Sequence, residues 1–175
     1  MKHIALVIGG VLFLAVLTYR QAQAQTARAE VRNAKGDKVG SSALTQEADG
    51  VRVAVEASGL PPGVHGFHIH AVGKCEPPFT SAAGHFNPAG QNHPHHAGDL
   101  PNLLVNADGG ASMVVKTSRF KVADLLDADG SALIIHANAD NHANIPTDRY
   151  RPDPDAATLG TGDAGGRIAC GVITK

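Results

Sequence analysis

The stretch HFNPAGQNHPHHAGDL, residues 85–100, places His85, His93, His95, His96 and Asp99 within sixteen positions. Three imidazole nitrogens and one carboxylate oxygen are the donor set of a tetrahedral zinc site. His85, His93 and His96 with Asp99 supply that set. A histidine-rich surface loop that binds metal adventitiously is the plainer alternative. The proline after His93 and the Ala-Gly pair before Asp99 mark defined turns, which favours a built site. A second signal is His68-Ile69-His70. On a strand, residues two apart share a face, so both imidazoles project to one side while Ile69 enters the core. Two imidazoles on a rigid element make half of a copper or zinc site. Ordinary surface strands carry such pairs too, so the motif alone is weak. His136 ends the apolar run ALII, and a lone histidine there is as readily structural. Its weight comes from the other eight histidines that crowd between positions 65 and 142.

These groups need a frame, and the chain supplies short strands broken by turns. GVRVAVEA (50–57) alternates Val51, Val53 and Val55 with Arg52, Ala54 and Glu56, the period of a half-buried strand. ARAEVRN, SSALTQ, VHGFHIHAV, ASMVVKT, SALIIHA and RIACGVI read as further strands. The turn signals between them include NAKGDK, LPPG, NADGG and DADG. KVADLLDA (121–128) is long enough for one helical turn only. Six or seven such strands predict an all-β antiparallel sandwich or barrel. Two segments, 73 to about 103 and 137 to about 166, lack a strand pattern. Loops of that length in a compact domain serve function or are disordered.

Composition narrows the setting. Lys2 and His3 precede the apolar run IALVIGGVLFLAVL (4–17), and Ala22-Gln23-Ala24 offers small residues at a cleavage site. Residues 1–24 therefore read as a signal peptide, since the run is short against the about 20 residues of a membrane span. An uncleaved anchor is the alternative. Residues 25–175 are long enough for one domain with a real core. Loss of residues 1–24 removes Lys2 and Arg20 and no acid, leaving 13 bases against 16 acids and moving the formal charge from −1 to −3. That balance, without a basic block, argues against nucleic acid as a partner. Cys75 and Cys170 are the only cysteines. In an oxidising compartment such a pair bridges, closing a loop of about 95 residues for roughly 4 kcal/mol at most. Two free thiols are the alternative.

With these motifs in order, the chain resembles the copper–zinc superoxide dismutases, in their exported bacterial form. The resemblance rests on GVHGFHIHAVGKC (63–75), GHFNP (84–88), HAGDLPNL (96–103), LIIHANAD (133–140) and GDAGGRIACGVI (162–173). It implies an eight-stranded Greek-key β-barrel of immunoglobulin-like sandwich type with two long functional loops. It further implies copper held by His68, His70, His85 and His136, and zinc held by His85, His93, His96 and Asp99, with His85 bridging. Asp140 resembles the outer carboxylate linking a copper ligand to a zinc ligand, and Cys75 and Cys170 the family's disulfide. Arg167 resembles the arginine above the copper. The implied activity is dismutation of superoxide to dioxygen and hydrogen peroxide, with Arg167 and His85 as catalytic groups, in a periplasmic or extracellular setting. The implied partner is the superoxide anion, with no membrane after signal cleavage and a homodimer as an alternative to the monomer.

The sequence departs from the family between His93 and His96, where only Pro94-His95 remains of a longer insertion. That leaves His95 or His96 as the zinc ligand; His96 keeps the spacing to Asp99. His65 fits a structural role, and His142 is assigned to no metal. Arg149, Arg151, Asp153 and Asp155 do not map onto substrate-guiding positions. Two other functions are weighed. A non-catalytic copper or zinc carrier would typically lack a copper ligand or the arginine, and a zinc hydrolase would need a glutamate beside the histidines as general base.

Overall fold

The computed structural model describes residues 25–142 and 155–175. Residues 1–24, read above as a signal peptide, and the charged residues Arg149, Arg151 and Asp153 lie outside them. Among the described residues there are nine strands: β1 (Thr26–Asn33), β2 (Lys38–Glu47), β3 (Gly50–Ala57), β4 (Gly63–His65), β5 (Phe67–His70), β6 (Leu103–Val105), β7 (Ala111–Thr117), β8 (Ala132–His136) and β9 (Arg167–Val172). Only Gly66 separates β4 from β5. Its N–H donates to Asn138 O at 2.7 Å and its carbonyl accepts from His136 N at 2.8 Å. The two are thus one path that changes partner, which gives the eight strands expected of the barrel.

Seven strands form one antiparallel sheet in the order β5-β8-β9-β1-β2-β3-β7, and β4 pairs with β6. Because β6 also lies against β7, the β4–β6 ribbon joins the two ends of the large sheet and curls it into a barrel. Alternation does the sorting. Val51, Val53 and Val55 are all buried, as their period requires, and they meet Leu44, Phe67, Ile69, Leu133 and Ile135 inside. β8 is buried on both faces. Its inner face joins the main core. Its outer face, Ala132 and Ile134, lies under Phe79, Ala82 and the Cys75–Cys170 disulfide.

The 121–128 segment forms the expected single turn, a 3-10 helix over Val122–Leu125. The sequence pattern predicts neither the strand at Leu103–Val105 nor the helix α1 (Ala156–Thr161), both inside or beside the long loops. Three residues following Pro101 are too few to show an alternating pattern. The helix is short and rich in small residues, so no apolar stripe announces it. Among the described residues, no helix is long and apolar enough to cross a membrane.

Candidate metal centre

The site is built on the outside of the barrel. β5 pairs with β8 through Phe67↔Ile135, His68↔Ile134, Ile69↔Leu133 and His70↔Ala132. Phe67 and Ile69 fill the core, so His68 and His70 point outward, beside His136 at the end of β8. The free edge of β5 is not left bare. Residues from the 73–102 segment pair with it: Phe86 N donates to Ile69 O at 2.8 Å, Ile69 N to Gly98 O at 2.9 Å, and Ala71 N to Gly84 O at 2.9 Å. This edge pairing brings His85 opposite His70 and Asp99 opposite His68. Gly98 permits the contact. A Cβ there would stand 2.2 Å from Ile69 O.

The hydrogen bonds fix which ring nitrogen of His68, His70 and His136 is free. Carbonyls and carboxylates only accept, so the nitrogen facing one carries the proton and the other keeps its lone pair. His70 Nδ1 donates to Ala83 O at 2.9 Å and His136 Nδ1 to Gly165 O at 3.1 Å, leaving both Nε2 atoms as donors to a metal. Those two atoms lie 3.3 Å apart. His68 Nε2 donates to Asp140 Oδ2 at 2.7 Å, which leaves Nδ1. His68 Nδ1 and His85 Nε2 are buried and have no hydrogen-bond partner. Four such nitrogens converging in a buried place fit a metal ion better than any protein partner. His68, His70, His85 and His136 each offer one atom within 4.8 Å of the others.

A second set meets the first at His85. His85, His93, His96 and Asp99 also offer atoms within 4.8 Å of one another. His85 Nδ1 is 2.7 Å from Asp99 Oδ1, His93 Nδ1 is 3.1 Å from Asp99 Oδ2, and His96 Nδ1 is 3.3 Å from His85 Nδ1. His93 Nδ1 is another buried nitrogen without a hydrogen bond. Of the His95–His96 pair, His96 is buried within the cluster, whereas His95 is exposed. The ring of His85 therefore carries one nitrogen toward each set.

Asp140 ties the sets together from behind. Its Oδ2 accepts from His68 and its Oδ1 accepts from His93 Nε2 at 2.8 Å. Asn102 holds it there by pairing with its backbone, Nδ2 to Asp140 O and Asp140 N to Oδ1, both at 2.8 Å. Gly162, with φ +61°, passes so close that a Cβ would overlap Asp140 Oδ1. His142 takes no place in either set; its backbone N–H donates to Asp140 Oδ1 at 2.6 Å. His65 is structural as expected, buried with Nδ1 2.8 Å from His136 O and Nε2 2.8 Å from Pro61 O.

Electrostatics split the histidines into two kinds. Burial, reinforced by neighbouring imidazoles, pushes His68 down to about 4, His136 to about 3 and His70 well below its usual range. All three stay neutral at pH 7, as metal ligands must. Burial also opposes charge on His93, but its hydrogen bond to Asp140 and the Asp99 carboxylate beside its other nitrogen overcome it and raise the ring to about 9. For Asp140 and Asp99, burial alone would raise the carboxyls. Their histidine partners, His68 and His93 for the one and His85 and His93 for the other, hold both well below the usual carboxylate range.

Arg167 opens β9 directly opposite His136. Its guanidinium donates to Phe79 O and Ala83 O, and Ala83 O also receives His70. One carbonyl of the disulfide-anchored segment thus positions both a ligand histidine and the cation beside it. The Cys75–Cys170 bridge is formed, with Cα atoms 5.6 Å apart. Sequence reasoning missed Asn102 and Arg119, whose Nη1 donates to three carbonyls of the 94–99 turn. An asparagine between Pro101 and Leu103 and an arginine in SRFK carry no spacing that would single them out.

An antiparallel β-barrel with two buried ligand sets sharing one imidazole on its outer wall defines a β-barrel metalloprotein with paired metal sites. Residues 38–173 match the family described as copper/zinc superoxide dismutase. The chain belongs to that family. A Cu-Zn superoxide dismutase of Mycolicibacterium paratuberculosis is 47% identical over 140 residues, which is 70% of this chain and 62% of the relative. The chain thus spans less than two thirds of that relative's length. The Cu-Zn superoxide dismutase 2 of Aquifex aeolicus is 37% identical over 99% of both chains. The solved Cu/Zn superoxide dismutase from Brucella abortus aligns with a TM-score of 0.67 and 31% identity, covering 86% of this chain and all of that one (100%).

Proposed function

We propose that this chain dismutates superoxide in an exported compartment, using copper at His68, His70, His85 and His136 and zinc at His85, His93, His96 and Asp99. The observation that carries the reading is the single His85 ring facing both ligand sets, with buried, unpartnered nitrogens in each. Bound copper would supply a one-electron cycle, and bound zinc a redox-inert charge. The net change oxidises one superoxide to dioxygen and reduces another, with two protons, to hydrogen peroxide.

The chain's own groups do the rest. The guanidinium of Arg167, half-exposed beside His70 and His136, attracts and orients a small anion. His85 Nε2, fixed by the Asp99 contact at its other nitrogen, is the position where a proton is held and passed toward the reduced product. His68 is held in one tautomer by Asp140, and His70 by Ala83 O. Export is supported by the disulfide and by the leader pattern of residues 1–24. Retention of all four copper-side histidines and Arg167 separates the chain from a mere metal carrier.

Metal analysis and superoxide turnover of the purified mature chain test the reading. Equal copper and zinc are expected, with His136→Ala abolishing turnover while zinc remains. Zinc alone, with no turnover after copper loading, overturns it.

A further inference from the structure

We propose that Arg119 is a positioning residue for zinc: its single Nη1 atom, gathered against the carbonyls of Pro94, His96 and Asp99, holds the ligand turn in its binding shape and thereby sets zinc affinity. The inference rests on the zinc assignment above, which it deepens.

The turn 93–99 carries three of the four ligands of that set but belongs to no strand. Arg119 Nη1 lies 3.0 Å from Pro94 O, 3.2 Å from His96 O and 3.3 Å from Asp99 O. These carbonyls flank or belong to the ligands themselves, so one cation fastens the beginning, middle and end of the turn. A charged donor makes roughly twice as strong a bond as a neutral one.

The base of Arg119 is rigid. It follows β7, its N–H donates to Thr117 Oγ1 at 3.2 Å, and the next residue, Phe120, is buried. Phe120 packs edge-on against Phe86, with ring centroids 6.4 Å apart, and Phe86 follows the shared ligand His85. Two residues on, Val122 N donates to Gln46 Oε1 at 3.0 Å. Arg119 therefore references the turn to the same packing that fixes His85. Without it, zinc would have to order the turn on binding, and the conformational entropy lost would weaken affinity.

The single-nitrogen geometry gives the idea a sharp test. A lysine ammonium offers three N–H donors from one atom, against the two on Nη1, whereas methionine keeps the length and apolar body and offers none. Zinc affinity of the metal-free full chain is measured by chelator competition for wild type, R119M and R119K. Cobalt(II) in the same site reports ligand geometry through its visible absorption. R119M should lose roughly tenfold to a hundredfold in zinc affinity and show shifted cobalt bands, the scale of outer-partner removal at metal sites. R119K should recover most of both, with copper affinity and the metal-free Tm unchanged throughout. Zinc affinity within twofold of wild type in R119M overturns the proposal while leaving the zinc assignment intact. So does a loss that tracks a fall in metal-free Tm, which would make Arg119 a general brace. Wild-type chain that binds no zinc overturns both.

Discussion

His68 and Asp140 lie 72 residues apart in sequence and share a buried 2.7 Å hydrogen bond, and the second oxygen of the same carboxylate holds His93. One side chain thus sets the tautomer of a histidine in each ligand set. Replacing Asp140 with Asn keeps the shape but removes the charge and one acceptor. An amide nitrogen would then face one of the two donating rings. Asp140→Asn should weaken zinc binding by roughly 10- to 100-fold, the usual cost of losing such an outer partner. Its effect on the other set should be smaller, because His68 is held on strand β5 whereas His93 lies in a turn that belongs to no strand. Chelator competition for each metal checks this, and equal losses at both sites would contradict the asymmetry.

Arg167 donates to Phe79 O and Ala83 O and faces His136 across the β8–β9 pair, yet contributes no atom to either ligand set. Arg167→Gln should therefore leave copper and zinc content unchanged. Turnover should fall by about tenfold or more, within the 10–10³ range that local charge contributes to encounter with an ionic substrate. The salt dependence of the rate should weaken in the same variant, since screening acts on the charge that was removed. Metal loss in Arg167→Gln would show that the arginine supports the site instead of serving the substrate.

Gly98 lies where the ligand segment presses on β5, and an added Cβ would sit 2.2 Å from Ile69 O and 3.0 Å from Phe86 N. Both are backbone atoms in the pairing that delivers His85 and Asp99, so neither can swing aside. Gly98→Ala should destabilise the metal-free chain by about 1–3 kcal/mol, the cost typical of overpacking. Metal retention should fall at both sites, because the shared ring shifts with its segment. Urea denaturation and metal analysis together test the claim; wild-type stability with full metal content would refute it.

Which of these relationships could be read beforehand follows from their range. The H-x-H pair needs only strand alternation, so the common face of His68 and His70 and the burial of Ile69 were legible from three residues. The zinc-type donor set lay within one segment, and Asp140 and Arg167 entered through recognisable motifs. Asn102 and Arg119 act through backbone groups of distant residues, and nothing in their own types or spacing encodes that reach. The strand path shared by β4 and β5 was legible as VHGFHIHAV, but its change of partner at Gly66 is set by where Asn138 and His136 arrive. β6 gains its place from pairing Leu103 with His65, a tertiary effect that three residues cannot announce.

His93 stands between two carboxylates, with Nε2 2.8 Å from Asp140 and Nδ1 3.1 Å from Asp99. Burial disfavours its charge, but those partners raise it to about 9, against about 6.5 for an unfolded histidine. The folded chain then binds the extra proton between about pH 6.5 and pH 9. That contribution to stability is fully present below about 6.5 and is lost as pH rises through about 9. His68 and His136, lowered to about 4 and about 3, act in the opposite direction. Below about pH 6.5 the unfolded chain takes up their protons first, so stability falls as the medium is acidified. The metal-free Tm should therefore peak near pH 6.5 to 7 and decline on both sides. Zinc must displace the His93 proton to use Nδ1, since its Nε2 proton remains with Asp140. Binding at pH 7.5 should release about one proton from this ring, and above pH 9 the release should vanish. Calorimetry in buffers of differing ionisation heat measures the number directly. A zinc-binding heat independent of buffer at pH 7.5 would show that His93 is already neutral, and that the two carboxylates do not hold a proton in the metal's place.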